Sequence, residues 1–215
     1  FGNVKLLQNT FENSLDYNFD LLKEMAASDN NINKAKTLAH GINLDINYPW
    51  ESSNKQISEK ELQNRDKWQS IFMPSGSMVA GRVDQKHWLS FGTPSTLPIL
   101  YANFPILMTH DKTEAVVRIG ELISNDEIKD FRMINWSSIP PGKDLNVRMS
   151  GLVWPEAAQR IANSAYLTRE RIGRGQIILF AGEPNFRGST RGTNRLWLNA
   201  LIYGAGLGAS TKINL

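Results

Sequence analysis

The stretch that decides the fold is Gly173-Arg-Gly-Gln-Ile-Ile-Leu-Phe-Ala-Gly-Glu-Pro-Asn-Phe-Arg-Gly-Ser-Thr-Arg-Gly-Thr-Asn-Arg-Leu-Trp-Leu-Asn-Ala-Leu201. Gly173, Arg174 and Gly175 form a turn, and the apolar run that follows predicts a strand over 176–181. A run without alternation is the pattern of a strand buried on both faces, as in a parallel or mixed sheet covered by helices. A loop rich in glycine and arginine comes next. Leu196, Trp197, Ala200 and Leu201 then recur at helix spacing. Thr193 or a neighbour caps that helix, and Gly204 ends it. Strand, loop and helix in this order make an α/β unit. Trp197 and Phe180 are expected in its core, on facing layers.

Working outward, Trp154-Pro155-Glu156 opens a short helix with proline in its first turn. Ala158, Ile161 and Ala162 are its apolar stripe, and a strand is predicted over 165–171. Further strands are predicted at 77–83, 97–101 and 115–119. The polar segment 124–144, with Pro140, Pro141 and Gly142, reads as a surface excursion. Ser58 and Glu61 form a capping box for a helix through Trp68. Residues 1–40 read as helical and polar, with Leu15, Phe19, Leu22 and Met25 at helix spacing, and 41–57 as irregular. The organisation predicted is an N-terminal helical segment at 1–44, an α/β domain at 45–208 and a tail at 209–215.

The stretch 173–201 resembles the C-terminal end of large bacterial zinc carboxypeptidases of the carboxypeptidase A-like type. So do Met149-Ser-Gly-Leu-Val-Trp-Pro-Glu156, Ala165-Tyr-Leu-Thr-Arg169, Phe72-Met-Pro-Ser-Gly-Ser77, Asp84 through Phe91, and Leu97-Pro-Ile-Leu-Tyr101. The resemblance spans roughly 45–208. It implies a three-layer α/β domain, flavodoxin-like and similar to class I glutamine amidotransferases. Such a fold normally opens with a strand–helix–strand unit, which 1–40 does not supply. Either upstream sequence is missing or the fold is incomplete at its N-terminus. The function implied is that of a non-catalytic accessory domain, supporting stability, assembly or substrate access in a secreted or periplasmic protein. Its partner would be the catalytic domain of the same polypeptide, which alone would hold zinc; a homodimer is the other partner considered.

The family's zinc ligands, a His-x-x-Glu pair, have no counterpart here. His40, His87 and His110 are followed at the third position by Asn43, Ser90 and Thr113. The chain has no cysteine, which removes disulfides, thiolate metal sites and the nucleophile of an amidotransferase. No Gly-x-Ser-x-Gly elbow is present. The 24 basic and 21 acidic residues leave a net charge of only +3. Arg169, Arg171, Arg174, Arg187, Arg191 and Arg195 are the only local concentration, so nucleic-acid binding is not expected. No apolar run is long enough to cross a bilayer. The chain starts at Phe1, and we expect a processed product or an excised segment.

The loop 183–193 is the first candidate site, through Glu183, Asn185, Arg187, Arg191 and Asn194. It joins a strand end to a helix start, where open α/β sheets take ligands. Helix amides and arginines there suit a peptide carboxylate, a glycan or a phosphate. The competing reading is a structural clamp, with the arginines paired to Glu183 and Glu156. We expect the clamp at Arg187 and the exposed role at Arg191. Trp50, Trp88 and Trp136 are candidates for ligand stacking. His110, with Asp111 and Glu114, lies in a turn before a strand, where these residues do not share a face. An independent hydrolase with a non-cysteine mechanism is the third reading.

Overall fold

The structure, a computed structural model, describes residues 59–207. The expectations for 1–58, including Trp50 and the capping residue Ser58, lie outside the described residues. Helix α1 (Glu59–Ile71) is followed by β1 (Ser77–Val83), a 3-10 turn at Trp88–Ser90, β2 (Thr96–Tyr101), β3 (Thr113–Ile119) and β4 (Glu121–Ser124). Next come β5 (Arg132–Ile134), β6 (Ser137–Ile139), β7 (Lys143–Asn146), β8 (Arg148–Ser150) and helix α2 (Pro155–Ile161). The chain continues through β9 (Ala165–Ile172), β10 (Gly175–Phe180), a 3-10 turn at Phe186–Gly188 and helix α3 (Arg191–Leu207).

Helices and strands are thus mixed, around a curled antiparallel sheet that forms a half-barrel. The strand order is β10-β9-β3-β1-β2, with β8 also pairing to β1. The register sets Val79 against Ile99, Gly81 against Leu97, and Val117 against Leu167. These apolar side chains are fully buried, together with Ile119 and Leu196. Gly120 turns the chain from β3 into β4 at φ +101, and a Cβ there would come within 2.7 Å of the Leu145 side chain. Both the left-handed backbone and the close approach demand glycine.

Several predicted elements form close to their predicted limits: β1, β2, β3, α2 and β9. Trp154 supplies the extended residue before Pro155 at the head of α2, and its ring meets Phe72 edge-on at 6.1 Å. The strand expected to be buried on both faces is different. β10 is the edge of the sheet, paired only to β9 and antiparallel to it. Ile177 and Leu179 are 45% and 50% exposed, while Ile178 and Phe180 are half-buried. The tight turn at Gly173 and Arg174 folds β10 straight back on β9, and a hairpin turn cannot make a parallel pair. Every pairing among the described residues is antiparallel, whereas a flavodoxin-like stack is built on parallel strands.

Two further expectations are corrected. Segment 124–144 is no simple excursion: its hairpin β5–β6 carries the fully buried Ile139 into the core, and Asp144 is buried in a bond to Arg132. In α3 the buried positions are Thr193, Leu196 and Asn199. Trp197 and Ala200 are half-buried, and Leu201 is exposed. The Asn199 amide donates to the carbonyls of Leu89 (2.8 Å) and Phe91 (2.9 Å), tying α3 to the 3-10 turn. A polar side chain thus anchors the face that the apolar pattern had assigned to Trp197 and Leu201. No helix among the described residues is long and apolar enough to cross a membrane.

Candidate functional site

The loop 183–193 leaves β10 through Ala181 and Gly182, where a Cβ would clash with the Phe104 ring. Glu183, Asn185, Arg187 and Arg191 are exposed, and Asn194 is half-buried. Thr190 heads α3: its carbonyl accepts from the Asn194 amide at 3.2 Å, and its hydroxyl meets that of Thr193. The clamp expected at Arg187 does not form. Its guanidinium lies over the neighbouring Phe186 ring, 5.1 Å from the centroid, and Glu183 makes no ion pair with it or with Arg191 among the described residues. Glu156, the other expected partner, is buried in α2. The loop is held by Gly182 and Thr190, which leaves its arginines facing water.

Arg169, from the same basic concentration, is buried and serves a different purpose. Its Nη1 donates to Glu114 at 2.9 Å and its Nε to Gln176 at 2.8 Å. Gln176 donates in turn to the Gly204 carbonyl of α3 at 2.5 Å. At the other end His87 Nε2 meets the same Glu114 oxygen at 3.2 Å, and His87 Nδ1 accepts from the Leu89 amide at 3.1 Å. A nitrogen that accepts cannot carry the proton, so the neutral ring is protonated at Nε2 and donates to Glu114.

Burial pushes His87 below its ordinary value and prevails over the opposing pull of Glu114. Burial acts to raise Glu114, yet the hydrogen bond and charge of Arg169, helped by His87, bring that carboxyl below the usual range. The unfolded chain takes up the His87 proton near pH 6.5, and the folded chain only at lower pH. The contribution of His87 to folding stability therefore falls as the pH drops below about 6.5. The chain of contacts from the 3-10 turn through β3, β9 and β10 to α3 is a brace across one face of the sheet.

A second polar cluster gathers at the turn between α2 and β9. Asn163 is fully buried at φ +57. Its side-chain amide donates to the carbonyls of Ile134 (3.0 Å) and Ser137 (3.3 Å), and its Oδ1 accepts from Arg82 Nη2 at 3.0 Å. Its backbone carbonyl accepts from Arg118 Nη1 at 2.9 Å. Arg118 Nη2 also reaches the Thr109 hydroxyl at 2.9 Å, and Arg82 Nη1 the Gly120 carbonyl at 3.4 Å. Sequence reasoning passed over these residues, because single arginines in separate strands carry no local pattern. The signal available was an arginine near the end of each of two strands that pair.

Beside this turn a cavity of about 770 Å3 opens between α1, α2 and the tip of the β5–β6 hairpin. Leu62, Ile106, Met108 and the exposed Trp136 line it, with Gln159 and Arg160. Of the other tryptophans proposed for stacking, Trp88 is half-buried against His87, with ring centres 5.5 Å apart. His110 is exposed, and its carbonyl closes the turn before β3. Among the described residues, no group of three or more metal-ligating side chains gathers. No family model, curated protein or solved structure matches this chain.

Proposed function

We propose that the chain is a non-catalytic accessory module of a secreted or periplasmic zinc carboxypeptidase-like protein, working beside a zinc-bearing catalytic domain of the same polypeptide. The resemblance of 173–201 to the end of such proteins motivates this reading. The observation that carries it is the wiring of His87, Glu114 and Arg169. This histidine–carboxylate pair has the residue types of an acid–base centre. Here both histidine nitrogens and one carboxylate oxygen are engaged, Nδ1 with the Leu89 amide and the Glu114 oxygen shared between His87 and Arg169, while the other side of Arg169 leads to α3 through Gln176. An amidotransferase-like, flavodoxin-like arrangement has in its favour the order of β10, loop and α3. The antiparallel register of β10 counts against it.

A second reading is a module that captures a peptide carboxylate or a glycan with the 183–193 loop. It is favoured by the exposure of Arg187 and Arg191 without acidic partners among the described residues. The test incubates the purified chain, with added zinc, with peptides of varied C-terminal residue. The expected result is no release of C-terminal amino acids. Release that a chelator abolishes contradicts the accessory reading. If the same peptides bind unchanged, and Arg187→Ala with Arg191→Ala removes that binding, the second reading replaces the first.

A further inference from the structure

Arg82 and Arg118 stand directly opposite each other in the register of β1 and β3. Side chains at such positions share a face, with Cβ atoms roughly 5 Å apart, and like charges there repel. Both arginines are partly buried, so water screens the repulsion less than at a free surface. An acidic neighbour is the ordinary remedy, and none is present among the described residues. The partners are neutral: the Gly120 and Asn163 carbonyls, the Asn163 Oδ1 and the Thr109 hydroxyl. The nearest acids in sequence are turned to other groups. Glu121 accepts from Asn146, Asp84 from the Lys86 amide, and Glu114 from Arg169 and His87.

We infer that Arg82 and Arg118 form a binding site for a dianionic oxyanion, a phosphate group either free or carried on a small molecule. A guanidinium has five N–H donors. Two on each arginine are engaged by the neutral partners, which leaves three on each. Both guanidinium groups meet at Asn163, and their remaining donors could serve one tetrahedral anion, the kind of ligand for which the planar arginine fork is suited. The charge balances as well: two uncompensated cations match a dianion, whereas a single carboxylate leaves one positive charge over. Asn163 sets the spacing, because its side chain holds Arg82 and its backbone carbonyl holds Arg118. Burial pushes both guanidinium groups below the usual arginine value, and at Arg82 the charge of Arg118 adds to the effect. A bound anion would relieve both.

The site is separate from the 183–193 loop, so it stands or falls independently of either reading above. The direct test follows the Nε–Hε resonances of the arginines by NMR while inorganic phosphate is titrated into the whole chain at constant ionic strength. The resonances of Arg82 and Arg118 should move together and saturate. Glycerol phosphate should act similarly if the group is recognised on a small molecule, and inorganic phosphate alone if it is recognised free. Acetate should bind more weakly than either. Arg82→Gln and Arg118→Gln each keep an amide donor for Asn163, and each should raise the apparent Kd for phosphate roughly tenfold or more, as expected for losing charge-assisted hydrogen bonds. If neither variant folds, the titration of the parent decides. Resonances of Arg82 and Arg118 that stay still, or saturation confined to Arg187 and Arg191, overturn the proposal.

Discussion

Asn163→Ala should lose about 3–5 kcal/mol of stability in chemical denaturation. The side chain is fully buried and satisfies the carbonyls of Ile134 and Ser137 with its two amide hydrogens. Alanine leaves both carbonyls without that donor, and a buried group left unsatisfied costs about 1–3 kcal/mol. The backbone at φ +57 adds a penalty, because alanine tolerates the left-handed region less well than asparagine. Asn163→Gly separates the two contributions. Glycine removes the backbone penalty and keeps the hydrogen-bond loss, so it should fall between parent and alanine. A glycine variant no better than the alanine variant would show that the backbone conformation contributes nothing.

Leu196→Ala should cost about 2–5 kcal/mol, the range for deleting a buried leucine. Leu196 has no exposed surface and packs at the centre of the buried face of α3. Trp197 is the larger side chain, yet it is only half-buried, so Trp197→Ala should cost clearly less than Leu196→Ala. The comparison reads the rotation of α3 about its axis. A larger loss at Trp197 than at Leu196 would mean that α3 presents its other side to the sheet.

Much of the strand and helix placement was legible in the sequence, because β1, β2, α2 and β9 have local signals. Val79 and Val83 alternate with less apolar neighbours, and Pro155 marks a helix start whatever the helix packs on. Pairing was less legible. Ile177, Ile178, Leu179 and Phe180 look alike in a buried parallel strand and in an edge strand with one face exposed. Only the two-residue turn at Gly173 and Arg174 distinguishes them, because a turn that short joins antiparallel neighbours. The buried face of α3 departs from its apolar pattern for a related reason. An apolar count favours Trp197 and Leu201, while Thr193 and Asn199 are buried because they bond to Thr190 and to the carbonyls of Leu89 and Phe91.

The candidate sites divide along the same line. The loop 183–193 is one continuous segment, so sequence could propose it, and the structure places its charged residues at the surface. The two arginines around Asn163 come from different strands and meet only through the β1–β3 register. The brace likewise draws His87, Glu114, Arg169 and Gln176 from four places in the chain. Such sites depend on pairing, which is the part of the fold that composition and periodicity specify least.

The claim that the acid–base residues hold the fold together is tested most directly at the His87 ring. Nitrogen-15 NMR of the imidazole, followed from neutral to acid pH, reports both the tautomer and the titration midpoint. The brace requires a neutral ring at pH 7, protonated at Nε2 with Nδ1 unprotonated, and a midpoint below the ordinary histidine value of about 6.5. A ring protonated at Nδ1, or a midpoint above that value, would contradict the brace and return His87 and Glu114 to consideration as an acid–base pair.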